Sequence, residues 1–439
     1  MTLSVAIIGS GPSAFYTADA LVKSGVDARI DLIERLPAPF GLIRYGVAPD
    51  HESTRKVARS FDKTARGPSL SFLGNVEVGR EVSLAELRQL YDAVVLAIGA
   101  PFDRPLGIPG HDKQGVHGSA AFVGWYNGHP DFRALDPDLK VKAAAVVGVG
   151  NVGLDVARLL VRSRPELEAT DMPDYAVEAI VNSQITDVYL LGRRSAAHAA
   201  FTIGELREMG DLDGCSPVID AASLPTSFDD VPEEHRRIKS KMVDMLRGFA
   251  GLPQDRPKRV HFRFNAAPKE VLGGARVEGL RIERTRVEGG RAVGTGETYD
   301  LPCGLVVAAI GYRSPRIDGA PFDERNGLYV NQGGVIDSGL YAVGWAMRGP
   351  SGVIGSNKID GQAVAKHIVE NLGTNSGKTG RDGLASLLRQ RGAKPTSYAD
   401  WGRIDAAEIA RARQGSPRAK FTTVAEMLAL LEQRPTAAS

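Results

Sequence analysis

Gly9, Gly11 and Ala14 are spaced G-x-G-x-x-A in "SVAIIGSGPSAFYTADAL", and Gly148, Gly150 and Gly153 are spaced G-x-G-x-x-G in "VVGVGNVGLDVARLLV". Small residues at these spacings hold phosphate. The first glycine allows a tight turn, and the second lets a pyrophosphate approach the backbone. The small third residue lets the next helix pack close to the strand. The helix N-terminus then turns its free N–H groups to the phosphates. The two turns differ in the strand that comes next. After the first, "ARIDLIE" ends in Glu34, an acid placed to accept hydrogen bonds from ribose hydroxyls. After the second, "TDVYLLGRR" ends in Arg193 and Arg194, whose guanidinium groups match phosphate geometry and stay charged. Arginines in place of the acid suggest a 2′-phosphate; the competing reading is a solvated pair of loop charges. The first turn therefore suits FAD and the second NADPH. A chain that holds both most simply passes hydride from nicotinamide to flavin.

The turns need strands and helices to position them. "VAII" reads as a buried parallel strand, and "FYTADALVK" carries apolar residues at helical spacing. "KAAAVV" and "NVGLDVARLLV" repeat the pair. The stretch from about 163 to 186 reads as a long loop, an insertion into a minimal unit. "YDAVVLAIGA" and "CGLVVAAIGYR" are two copies of a strand ending in Ile-Gly. Residues 339–372 read as a strand, a glycine-rich turn and a long helix whose N-terminus can face an anion or a flavin edge. The expected fold is α/β with two Rossmann-like dinucleotide-binding domains. Residues 1–102 and 315–372 form a discontinuous FAD-binding domain, and residues 103–314 form an inserted NADP-binding domain. Residues 373–439 form a C-terminal extension with two amphipathic helical patterns, packed on the FAD domain.

Composition excludes several classes. With 54 basic and 52 acidic residues among 439, the net charge of +2 argues against a general nucleic-acid binder. No apolar run reaches the length of a membrane span. The first strand starts within two residues of Met1, leaving no room for a signal peptide, so the cytoplasm is the expected location. Nothing demands an oligomer, and a monomer is expected. Cys215 and Cys303 are the two cysteines, far apart in sequence. They make neither a redox dithiol nor a four-thiolate cluster. Cys303 precedes an apolar strand, and Cys215 is expected in a loop; both are expected to be inert.

Longer motifs carry a resemblance. "GSGPSAFYTADAL", "PAPFGLIRYGVAPDH", "FVGWYNGHPD", "GVGNVGLDVARLL", "GRRSAAHAAFTIGELREM" and "VGWAMRGPSGVIGSNKIDG" together make the chain similar to adrenodoxin-reductase-type ferredoxin–NADP⁺ reductases over essentially its whole length. The resemblance implies FAD held by Gly9, Gly11, Ser13, Ala14, Glu34, Leu42 and Val78, with Trp345, Gly352, Val353 and Ile354 near the flavin. It implies NADPH held by Gly150, Asn151, Val152, Gly153, Arg193, Arg194 and Glu205, with Gly352 touching both. Ser13 departs from the family's more usual small apolar residue; a hydroxyl still fits a phosphate loop.

Three polar residues are catalytic candidates. His51, in the segment the resemblance places near the flavin, reads equally as a structural residue at a helix start. Asp155, on the helix after the second turn, reads equally as a partner within that helix. Glu208 lies one turn beyond Glu205, and the competing reading is a solvated helix charge. "EEHRRIKSKMVDMLRGF" is a basic helical pattern. Arg236, Arg237, Lys239 and Lys241 would steer an acidic ferredoxin there, unless this is a solvated face balanced by Glu233, Glu234 and Asp244. The expected activity is hydride transfer from NADPH to FAD, then single-electron transfer to a ferredoxin-type iron–sulfur protein. The alternatives are an electron-input flavoprotein subunit of a larger complex, or a flavoprotein with a different acceptor. A flavin disulfide reductase would need the cysteine pair this chain lacks.

Overall fold

The computed structural model describes residues 2–371 and 377–433. The chain divides into two compact units. One comprises Met1–Phe102, Asn127–Arg133 and Tyr312–Ser439, and the other Asp103–Tyr126 and Ala134–Gly311.

The first unit is built on a six-stranded sheet. Leu3–Ile8 is its middle strand, buried at every position, as a parallel strand covered on both faces must be. Ala28–Ile33 lies on one side in the register Leu3↔Ala28 to Ile8↔Ile33, and Ala93–Leu96 on the other. Leu70–Leu73 extends the sheet past Ala28–Ile33. Leu340–Ala342 joins Ala93–Leu96 in parallel, so a strand from late in the chain completes a sheet begun at its start. Val335–Asp337 closes that edge antiparallel. The helices Pro12–Lys23 and Ser356–Asn371 cross at Gly361, where a Cβ would stand 2.8 Å from the backbone nitrogen of Thr17. That contact requires glycine.

Three helices, not the two expected, fill the described part of the extension: Gly380–Gln390, Tyr398–Ala410 and Val424–Glu432. The glycine- and serine-rich start of the extension, "GTNSGKTGRDG", lies partly outside the described residues, and the chain is helical from Gly380 onward. Leu384 and Leu388 enter the apolar cluster of Val94 and Leu96. Trp401, Ile404 and Met427 enter that of Val5 and Phe15. A buried ion pair ties the extension down. Arg44 donates to both carboxylate oxygens of Glu408 at 2.9 and 2.5 Å, with side-chain exposures of 4% and 0%. Lys420, also buried, donates to the carbonyls of Arg44 and Asn127.

The second unit holds a parallel sheet in the order Val116–Gly118, Leu305–Ala308, Ala143–Val147, Asp187–Leu191, Lys258–Arg263, Cys215–Ile219. A separate antiparallel sheet is made of Ala266–Leu272, Gly279–Glu288 and Arg291–Pro302. Its last hairpin turns through Gly289 and Gly290, at φ 53° and 73°, the left-handed pair that a two-residue turn between twisted strands favours.

Several expectations need correction. The stretch from 163 to 186 is not a loop: it holds the helices Arg164–Glu168 and Asp174–Val181, the first started by a Ser163–Glu166 capping box. Cys215 begins a strand rather than lying in a loop. Residues 127–133 fall in the first unit, not the second. Arg35 holds Asp131 at 2.5 Å, and His129 packs its ring on Tyr45. The first unit resumes at Tyr312 rather than at 315.

Candidate dinucleotide sites

The two glycine turns share one geometry. Gly9 has φ 100° and Gly148 φ 127°, a region that side chains avoid. A Cβ on Gly9 would stand 2.6 Å from the Ala97 carbonyl oxygen, and one on Gly148 would stand 2.1 Å from that of Ala309. Both first glycines therefore serve the fold. Gly11 and Gly150 are different: a Cβ on either would meet nothing within 4 Å. Open space beside the backbone at the N-termini of Pro12–Lys23 and Asn151–Leu159 is the cradle a pyrophosphate needs. At the third position Ala14 is fully buried, and a Cβ on Gly153 would stand 2.3 Å from the Gly148 oxygen. That closeness brings helix and strand together.

Around the first turn Glu34, Leu42 and Trp345 converge. The Glu34 carboxylate accepts from the N–H and hydroxyl of Ser10, at 3.0 and 2.8 Å, and from the N–H of Leu36. The acid thus braces the turn as well as facing it. Phe40 N–H donates to the Ser10 carbonyl, and Gly41 closes on Gly11. Leu42 comes next, 41% exposed despite its apolar side chain. Gly344, at φ 66°, presses on Ser13 and so brings Trp345 to the same turn. Trp345 stacks on Tyr312 and donates to the Ser351 carbonyl. Gly352, Val353 and Ile354 lie just before the helix from Ser356, and Val353 is 59% exposed. Val78 packs on the apolar cluster of Val76 and Val82. His51 caps the short helix Glu52–Arg55 in this same unit, and its carbonyl accepts from Thr54 and Arg55.

In the second unit the Asn151 side chain accepts from the Thr202 N–H. Thr202 in turn caps the helix Ile203–Glu208 through the Glu205 N–H. Val152 lies beside Asn151 in the first turn of the helix after Gly150. Arg193 is exposed after the strand Asp187–Leu191, while Arg194 is half-buried and donates to the Gly290 carbonyl. Asp155, Glu205 and Glu208 surround one residue that the sequence patterns did not single out. Arg158 is fully buried, 2.8 Å from Asp155 and 3.6 Å from each glutamate. Its signal was a lone cation within an apolar helical run, three residues after Asp155. Removing Arg158 would leave three carboxylates facing one another.

The basic helix Glu233–Phe249 buries Met242, Val243, Leu246 and Phe249. Arg236 donates to the Val231 and Asp229 carbonyls, and Lys239 turns inward to the Ala199 carbonyl. Arg237 and Lys241 are exposed. Both cysteines are buried free thiols, each pushed up by burial to about 12, so neither is a nucleophile near neutral pH.

Two glycine turns of like geometry, one beside an acid and one beside two arginines, fit a two-dinucleotide flavoprotein oxidoreductase. Residues 3–190 match the family model described as pyridine nucleotide-disulphide oxidoreductase. The NADPH:adrenodoxin oxidoreductase of Bos taurus is 42% identical over 98% of this chain and 92% of its own length. The NADPH-ferredoxin reductase FprA of Mycobacterium tuberculosis is 42% identical over 97% and 98%. The structure of that FprA in complex with NADPH superposes with a TM-score of 0.94, covering 98% of this chain and 99% of the other at 41% identity. The chain belongs to the family of NADPH:adrenodoxin oxidoreductases and NADPH-ferredoxin reductases. Among the described residues no helix is long and apolar enough to cross a membrane.

Proposed function

We propose that this protein is an NADPH–ferredoxin reductase, holding FAD at the first turn and NADPH at the second. The observation that carries the assignment is the pairing of like cradles with unlike charge: Gly11 with Glu34, and Gly150 with Arg193 and Arg194. The chemistry FAD supplies when bound is acceptance of a hydride from NADPH and release of the two electrons singly. The chain's residues do the holding. Gly11 and the N-terminus of Pro12–Lys23 receive the pyrophosphate, and Glu34 has lone pairs left for the ribose after bracing Ser10. Leu42, Val78, Trp345 and Gly352–Ile354 form the apolar surround of the ring. Gly150 to Gly153 receive the second pyrophosphate and the arginines the 2′-phosphate. Arg158 fixes the charges of Asp155, Glu205 and Glu208 on one centre. In this reading those acids set the polarity on the nicotinamide side, and His51 sets it on the flavin side.

The glycine geometry separates folding from binding. Gly11→Val is expected to leave the melting temperature of the flavin-free protein unchanged and to cut flavin content per chain severely. Gly148→Val is expected to destabilise the fold itself, because its side chain meets the Ala309 carbonyl. Equal loss of stability in both variants would contradict this division. For the iron–sulfur partner, the exposed Arg237 and Lys241 are the docking cations. Arg237→Glu with Lys241→Glu should raise the Michaelis constant for an acidic ferredoxin several-fold and leave NADPH binding unmoved. No change in either would remove the helix as the docking face. The test of the whole reading is NADPH-dependent cytochrome c reduction by the flavin-loaded protein, with and without a small ferredoxin. Large, saturable, salt-sensitive stimulation supports it. Reduction of the flavin without any ferredoxin effect would require another acceptor.

A further inference from the structure

The loop from Arg193 to Ala199 concentrates positive charge that its surroundings do not neutralise. Arg193 is exposed, and Arg194 reaches the Gly290 carbonyl at 3.2 Å. From the neighbouring helix Glu233–Phe249, Lys239 enters half-buried and donates to the Ala199 carbonyl. Between them His198 holds Ser195 through Nδ1 at 2.9 Å. Among the described residues, no carboxylate forms an ion pair with Arg193, Arg194 or Lys239. The acids of the helix are engaged or turned outward: Asp244 pairs with Arg247, and Glu233 and Glu234 are exposed. Burial, and after it the charge of Arg194, pushes the Lys239 ammonium below its ordinary pKa. Burial and then Arg193 do the same to Arg194. Burial and then Arg194 lower His198, with only Asp230 opposing among nearby acids. Like charges gathered with no acid paired to them repel one another, and a doubly negative ligand relieves that repulsion.

We propose that Lys239 is a third cation of the 2′-phosphate site, acting with Arg193 and Arg194 to select NADPH over NADH. The inference rests on the reading of the second turn as the nicotinamide-nucleotide site. An ammonium has three protons, and Lys239 gives one to Ala199, leaving two for phosphate oxygens. Its half-buried position also keeps it from an approaching protein, unlike Arg237 and Lys241.

The experiment compares the dissociation constants of NADPH and NADH in the flavin-loaded wild type and in Lys239→Gln, together with the ferredoxin Michaelis constant. Glutamine can still donate to Ala199, so the charge is removed while the loop stays anchored. The NADPH constant is expected to rise about tenfold, with a shallower salt dependence, while NADH binding stays put. Lys239→Met, which also removes the anchor, should lose at least as much NADPH affinity. Equal weakening of both nucleotides would make Lys239 a loop anchor only. A raised ferredoxin constant with NADPH unmoved would make it a docking residue. Either result, or no change at all, overturns the inference. A wild type with no preference for NADPH would instead overturn the underlying reading, whatever Lys239 does.

Discussion

Changing Arg193 and Arg194 together to alanine is expected to weaken NADPH binding by at least ~100-fold while NADH binding hardly moves. Each guanidinium offers charge-assisted hydrogen bonds to the phosphate, worth about 1.5–3 kcal/mol apiece, and a factor of ten needs about 1.4 kcal/mol. The two arginines are not equivalent. Arg193 is exposed, so its loss is purely one of charge toward ligand. Arg194 also reaches across to Gly290 in the hairpin turn, so its removal loosens that hairpin as well. The single variants should therefore separate: Arg193→Ala changes affinity alone, and Arg194→Ala also lowers the melting temperature slightly. Equilibrium titration with both nucleotides decides it. Parallel loss for NADPH and NADH would mean that the arginines hold the loop's shape and read no 2′-phosphate.

Glu408→Ala is expected to cost about 3–5 kcal/mol of stability, because it strands the buried Arg44 guanidinium. Glu408 has no solvent contact, and besides Arg44 it accepts from the Phe421 N–H and lies 3.5 Å from Arg418. Arg44 lies against the rings of Tyr45 and Trp401, with its side chain 4% exposed. The stretch that carries it, Leu42–Tyr45, comes directly after the Gly41 that closes on Gly11. Loss of stability should therefore come with faster release of flavin. Replacing both partners, Arg44→Met with Glu408→Met, should recover most of the stability, since neither charge of the pair is then left buried without the other. Chemical denaturation followed by both intrinsic and flavin fluorescence measures the two effects together. An Ala variant as stable as the wild type would mean that water reaches Arg44 and the pair is not sealed.

The features legible in the sequence were local. The glycine turns announced themselves because the backbone demands of a phosphate cradle fall within six residues, and the acid or arginines lie at the end of the next strand. The absent cysteine pair was equally plain. The features that escaped depend on residues distant in the chain. The pairing of Arg35 with Asp131 draws 127–133 into the first unit across 96 positions, and no periodicity encodes that. Glu408 reads as an ordinary acid on a helix until Arg44 is set against it. Arg158 was hidden because an isolated cation in an apolar run looks like an imperfect stripe, not the centre of three carboxylates. Lys239 reads like its exposed neighbours, since helical spacing alone does not say which lysine bends inward. The helices within 163–186 were too short for a periodic signal to rise above loop composition.

The Leu340–Ala342 strand and the Arg44–Glu408 pair have a consequence for synthesis on the ribosome. Domains fold as units as the chain emerges. The second unit has all of its residues once Gly311 is made. The first unit begins earlier but lacks two strands of its sheet until residue 342, and its Arg44 lacks Glu408 until residue 408. The part translated first is thus finished last. Until then its opening strands wait with one edge bare, a row of N–H and C=O groups open to pairing with other chains.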